Sequence, residues 1–159
     1  MTNYNDLAAT ARVWIYQSKT PLPTTKIAAI RQHLSDFATT WVSHNNELKS
    51  YGEIYHNQFI VLMVDETQAG ASGCSIDKSV HFIQQLEQKY QLDLFDRMTF
   101  TYKEGETIKT AHRTVFADLY KSGTITKDTL VFDNLVKTKE AFEKSWIKPL
   151  EESWHKRMV

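Results

Sequence analysis

The sequence predicts a single α+β domain, spanning residues 1–159, whose core is a ferredoxin-like β-α-β-β-α-β unit. With 159 residues, 42% of them hydrophobic and 24% charged, the chain has the size and composition of one globular domain that folds without disulfides. Runs of β-branched and aromatic residues alternate with segments whose apolar residues recur every three or four positions, which is typical of mixed strands and helices.

The first strand and the first helix follow from the pattern near the N-terminus. Residues 12–16, RVWIY, are β-branched and aromatic and predict a strand. After Pro21 and Pro23, Thr24 or Thr25 can cap a helix. One apolar stripe at three- and four-residue spacing then predicts that helix, and it consists of Ile27, Ile30, Leu34, Phe37 and Trp41.

Residues 48–55 and 59–64 predict an antiparallel hairpin. Between them, Asn57 can adopt the positive φ angle that a tight turn requires. The second run, FIVLMV, contains no polar residue. This is typical of a strand that lies in the middle of a sheet and is covered on both faces.

A loop of small residues, GASGCS at 70–75, leads into the second predicted helix. Apolar residues at helical spacing continue to Tyr90, and Ser75 or Asp77 is the predicted N-cap. Residues 98–103 then predict a fourth strand, which pairs with 107–110.

Together the elements of residues 12–103 match the split β-α-β motif, with the first and third strands side by side. Residues 104–159 are predicted to pack on this core as an extension. It contains a helix at 112–121, a short strand at 129–132 and a helix at 139–146 that Pro149 interrupts.

Charge and cysteine content limit the cellular compartment and the classes of partner that the sequence predicts. Nineteen basic and nineteen acidic residues cancel, so there is no bulk attraction to nucleic acid or to an anionic membrane. The polar N-terminus lacks the pattern of a secretory signal, and the longest apolar run is far too short to span a bilayer. The single cysteine, Cys74, excludes an intramolecular disulfide. We expect a cytoplasmic protein with no nucleic-acid or membrane partner.

The candidate site is the loop that enters the second helix. A helix N-terminus offers unpaired amides and a partial positive charge, so the residues there can hold an anion. The residues predicted to do so are Ser72, Gly73, Cys74 and Ser75. The same environment favours the thiolate of Cys74.

Two functions are consistent with this loop. One is a thiol- or carboxylate-dependent enzyme that uses Cys74 with Asp65, Glu66 or Asp77, and with a base such as His81. The other, which we favour, is a non-catalytic domain that binds a small ligand, a protein partner or a second copy of itself. In that case Ser75 or Asp77 caps the helix, Cys74 fills space beside the sheet, and Asp65 and Glu66 form a solvated edge.

The histidines do not indicate a metal site. The six histidines show no HxH or HExxH spacing that places two ligands on one face of an element, and they are His33, His44, His56, His81, His112 and His155. The sequence therefore predicts no bound metal and no cofactor.

Several segments together resemble a family of small bacterial proteins of unknown function that is often labelled "ABC transporter ATPase". They are ARVWIYQ at 11–17, VDE at 64–66, GASGCSID at 70–77, FDR at 95–97, DTLVFDNLV at 128–136 and ESW at 152–154. The family has no established activity, so the resemblance implies no catalytic residues.

The label itself conflicts with the sequence. An ABC-type ATPase holds nucleotide phosphates in a GxxxxGK[ST] loop, and no such stretch occurs in the chain. The nearest approach, GETIKT at 105–110, lacks the second glycine and lies in a predicted hairpin. We interpret the label as a misannotation.

Overall fold

The computed structural model describes residues 1–67 and 69–159. Within these ranges the α-helices are α1 (Thr24–Thr40), α2 (Gly73–Tyr90), α3 (Arg113–Lys121) and α4 (Lys139–Ser145). The strands there are β1 (Arg12–Gln17), β2 (Val42–Ser43), β3 (Asn46–Glu47), β4 (Lys49–Tyr55), β5 (Phe59–Asp65), β6 (Thr99–Glu104), β7 (Thr107–His112), β8 (Leu130–Phe132) and β9 (Ile147–Pro149). The predicted α+β class is confirmed.

The first sheet has the strand order β1-β5-β4, with β5 antiparallel to both neighbours. Leu62, in the centre of β5, lies opposite Trp14 of β1 and Gly52 of β4. All seven residues of β5 are buried. The prediction of a central strand covered on both faces is confirmed.

The two faces of this sheet carry separate apolar layers, because side chains alternate along β5. Ile60, Leu62 and Val64 pack with α1 and α2, and Phe59, Val61 and Met63 pack against the segment from β8 to α4. Gly52 of β4 lets α1 approach closely. A Cβ atom at that position would lie 3.2 Å from Leu62 Cδ2 and 3.5 Å from Leu34 Cβ.

The predicted ferredoxin-like topology is not confirmed, because the strand order differs. It requires the fourth strand to lie beside β1, but that strand, β6, belongs to a second sheet of order β7-β6-β8-β9. The outer edge of β1 instead contacts the segment before α4, through an antiparallel bridge between Arg12 and Thr138. The Val13 amide also donates a 3.0 Å hydrogen bond to the Lys137 carbonyl. Since β6 pairs with β7 and β8, it has no free edge for β1.

The second sheet confirms the predicted β6–β7 hairpin, where Gly105 takes the positive φ of 62° that its tight turn requires. The predicted helix at 112–121 and the short strand at 129–132 correspond to α3 and β8. A third apolar cluster, which includes Phe100, Phe116 and Leu150, fills the space between this sheet and α3. Among the described helices, none is both long enough and apolar enough to cross a membrane.

Candidate functional site

An open groove runs between α1 and α2 on the outer face of the helix layer. Its first half has a volume of about 550 Å³, and its second half has a volume of about 500 Å³. Phe82 and Gln85 line both halves, so the two form one continuous surface feature. In the first half α2 contributes Cys74, Asp77, Lys78, His81, Phe82 and Gln85.

Aromatic rings form the apolar part of this groove. Phe37 of α1 and Phe82 of α2 stack with their ring centroids 4.3 Å apart and their planes within 5°. The ring centroid of Trp41, directly after α1, lies 5.0 Å from that of Phe37. Both phenylalanines are only partly buried, so the groove presents aromatic surface to solvent.

The polar residues of the first half lie along one face of α2. Cys74, Asp77 and His81 are spaced by three and four residues, which places them on the same side of a helix. Cys74 is exposed, so the expectation that its side chain fills space beside the sheet is wrong. His81 lies two helical turns from Cys74, about 10.5 Å along the axis, and its Nε2 atom contacts Gln85 Nε2 at 3.3 Å.

A basic and aromatic cluster around Tyr90 lies beside the second half of the groove, which His33 and Lys89 line. His33 Nε2 and the Tyr90 hydroxyl are 2.8 Å apart. The ammonium groups of Lys26 and Lys89 lie 5.7 and 5.8 Å from the centre of the Tyr90 ring. Within the described ranges neither lysine forms an ion pair.

The N-terminus of α2 differs from the prediction. The helix begins at Gly73, and its N-cap is Ser72 rather than Ser75 or Asp77. The Ser75 amide donates to Ser72 Oγ at 3.1 Å, and the Ser75 hydroxyl donates to the Ser72 carbonyl at 2.9 Å. Of the predicted anion-binding residues, Ser72 and Ser75 are therefore bonded to each other, which leaves the amides of Gly73 and Cys74 as the donors at this terminus.

Asp65 lies at the end of β5, and its side chain is only 2% exposed. Its Oδ2 atom accepts a 2.8 Å hydrogen bond from the Ala8 amide. Its Oδ1 atom accepts bonds from the Thr67 amide at 3.0 Å and the Thr67 hydroxyl at 2.7 Å. The interpretation of Asp65 as part of a solvated edge is wrong.

The charge state of Asp65 reflects these contacts. Burial by itself raises the pKa of this carboxyl group, but the hydrogen bonds from Thr67 and Ala8 and the nearby Lys49 ammonium hold the pKa below its ordinary value. A carboxylate with both oxygens occupied and a lowered pKa is a poor general base. Asp65 therefore anchors the chain around Ala8.

Glu66 bonds to Ala71 just before α2 and does not line the groove. Its Oε1 atom accepts a 3.0 Å hydrogen bond from the Ala71 amide and lies 3.4 Å from Arg12 Nη1. Arg12 also lies over the Trp14 ring, 4.8 Å from its centre. Of the four candidate catalytic residues, the structure brings only Cys74 and Asp77 to one groove.

The sequence did not predict a polar network between the two sheets. Asp133 accepts bonds from Lys148 Nζ at 2.7 Å and Trp154 Nε1 at 2.8 Å. Asn134 accepts from Trp146 Nε1 at 2.9 Å and donates to Gln17 Oε1 at 3.0 Å. An Asp-Asn pair interrupting the apolar run LVFDNLV was the available signal. Each of these polar groups has a hydrogen-bond partner within the network. Since the bond from Asn134 to Gln17 links the segment after β8 to β1, the network helps to hold the two sheets together.

These contacts also unite three of the segments that resemble the small bacterial family, namely 11–17, 128–136 and 152–154. No family model, curated protein or solved structure matches the chain, so the resemblance stays a prediction. Among the residues that the structure describes, no group of three or more His, Cys, Asp or Glu side chains is placed to hold a metal ion.

Proposed function

We propose that the chain is a small non-catalytic binding domain and that its binding surface is the groove between α1 and α2. The observation that carries this proposal is the stacked Phe37–Phe82 pair, which is partly exposed at the middle of the groove. Partly exposed aromatic rings beside polar groups are typical of recognition surfaces, since the rings supply contact area and the polar groups orient the partner.

Side-chain contacts between the walls of the groove support a binding role. The Trp41–Ser75 hydrogen bond joins the end of α1 to the start of α2, and His33, midway along α1, contacts Tyr90 at the end of α2. A surface that is already formed loses little conformational entropy when a partner binds.

The proposal is tested with aromatic fragments of the phenol and indole type, added to labelled protein and followed through amide chemical shifts. We expect shifts concentrated at Phe37, Phe82 and Gln85. Gln85→Trp, which fills the groove, should abolish them. Gln84→Trp is the matched control, because Gln84 is exposed on the same helix and does not line the groove. Chemical-shift changes that persist in the Gln85→Trp variant would reject the groove as the binding surface.

A second candidate function is a thiol-dependent enzyme. Cys74 favours it, because this thiol is exposed in the first turn of an 18-residue helix and lines the same groove as His81. The two-turn separation opposes a direct thiol–imidazole pair. Turnover that Cys74→Ser abolishes, and that His81→Gln reduces, would replace the binding proposal with this one.

A further inference from the structure

The two ends of the groove differ in charge. Near Cys74 the lining residues Asp77 and Lys78 carry opposite charges. At the other end Lys89 lines the groove and Lys26 lies beside the same tyrosine ring. The charges near Cys74 therefore cancel, and the end of the groove near Tyr90 is positively charged.

The helix dipoles do not offset the charge of the positive end. Since Trp41 at the end of α1 bonds to Ser75 at the start of α2, and His33 of α1 meets Tyr90 at the end of α2, the helices run antiparallel. The N-terminus of α1 is thus near the C-terminus of α2, and their partial charges of roughly half a unit oppose each other. No acidic residue lies in the first turn of α1, and its N-cap makes no side-chain hydrogen bond. The two lysine charges remain uncompensated.

The dimensions of the groove indicate the class of occupant. From Cys74 to Lys89 α2 advances roughly 22 Å, the length of about four helical turns. Small-molecule sites enclose most of their ligand's surface, whereas this groove is open to solvent along both halves. A long, open groove with an aromatic centre fits the apolar face of a helix from another protein.

Resting on the proposed binding function of the groove, we propose that its occupant is an amphipathic helix of a partner protein that carries acidic residues at one end. The apolar residues of that helix pack on Phe37 and Phe82. Its carboxylates lie beside Lys26 and Lys89, where charge complementarity fixes the direction in which the helix binds.

The test is a selection from a phage-displayed library of helical peptides of about 18 residues, long enough to fill the groove. The wild-type chain is the target, and Gln85→Trp removes peptides that bind elsewhere. We expect the selected peptides to share an apolar stripe and to carry Asp or Glu at one end only.

The lysines are then tested with the tightest selected peptide, labelled with a fluorophore. The double variant Lys26→Gln, Lys89→Gln should weaken binding by about tenfold or more, with a smaller loss at high salt, where charges are screened. The double variant Lys121→Gln, Lys156→Gln is the matched control. It removes the same charge at exposed positions outside the groove and should leave the affinity unchanged.

The possible outcomes distinguish failure of the acidic-helix inference from failure of the proposed binding function of the groove. Selected peptides that bind the groove but carry no acidic residues would overturn the acidic helix. So would an equal loss of peptide affinity in the two double variants. Either result leaves the groove as a binding surface. A selection that returns no peptide sensitive to Gln85→Trp overturns the helical occupant, and the groove itself is rejected only if the aromatic fragments also fail to bind it. Self-association in sedimentation experiments that Gln85→Trp abolishes would instead make a second copy of the chain the occupant.

Discussion

The indole N–H of Trp41 donates a 2.9 Å hydrogen bond to the backbone carbonyl of Ser75. Trp41 directly follows α1, and Ser75 lies in the first turn of α2, so this bond joins the end of one wall of the groove to the beginning of the other. Trp41 is 2% exposed, and little water competes for the bond. The shape of the groove near Cys74 therefore depends on Trp41.

Trp41→Phe should lower the free energy of unfolding by about 1–3 kcal/mol, because a buried carbonyl loses a donor and the smaller ring leaves a void. Urea denaturation measures this loss. Trp14→Phe is the control, since Trp14 packs against Trp41 at 5.9 Å but is less buried. Equal losses in the two variants would show that the bond to Ser75 contributes nothing specific.

Asp65→Asn should destabilise the chain by about 2–3 kcal/mol at neutral pH, because a buried carboxylate that accepts several hydrogen bonds is replaced by a neutral amide. One amide oxygen cannot accept the bonds from both Ala8 and Thr67. Asp77→Asn, at an exposed position, should change the stability little. An Asp65→Asn variant as stable as Asp77→Asn would contradict the anchoring role.

The cost of Asp65→Asn should also depend on pH. The folded pKa of Asp65 lies below its ordinary value, so the carboxylate contributes stability above the unfolded pKa of about 4, and this stability is lost as the pH falls through the folded pKa. The difference between wild type and Asp65→Asn should therefore narrow below about pH 4. Unfolding curves collected at several acidic pH values test this, and a constant difference would be the contrary result.

Local patterns predicted most elements of the fold but not the sheet to which each strand belongs. The apolar run of β5 and the stripe of α1 are short-range signals, and both elements form. The predicted cap of α1 is wrong, because Pro23 rather than Thr24 or Thr25 is the N-cap. Local sequence patterns do not determine which strand pairs with β6. In this fold the edge of β1 is covered by residues 137–138, which lie more than a hundred positions from β1 in the sequence.

The candidate site was predictable to a similar extent. Helical spacing alone places Cys74 and His81 on one face of α2, and both line the groove. The Phe37–Phe82 stack and the positive end near Tyr90 require the two helices to dock, which no single-helix pattern encodes. Asp65 was misread because its partner Ala8 lies 57 residues away.

Cys74 should react with iodoacetamide in the folded protein at a rate within about tenfold of the rate in denaturant, because the side chain is exposed. Mass spectrometry of samples quenched over time measures both rates. The bound peptide proposed for the groove should slow the folded-state reaction, since Cys74 lines one end. A thiol protected by orders of magnitude without any ligand would show that the first turn of α2 is packed differently.

His155 should make the stability depend on pH between neutrality and acid. It is 1% exposed, stacks on Trp154 at 3.8 Å, and burial lowers its pKa to about 4. Since the unfolded chain binds this proton near pH 6.5, the contribution of neutral His155 is complete above that pH and is lost as the pH falls toward 4. The loss should be on the order of 2–3 kcal/mol.

His155→Gln should flatten this part of the pH profile, as measured by urea unfolding between about pH 7 and pH 5. His56→Gln is the matched control. Partial burial and Lys103 also lower the pKa of His56, but His56 is far more exposed than His155, so its variant should retain most of the slope. If His155→Gln lost stability as steeply as the wild type over this range, the proton uptake would belong to another group.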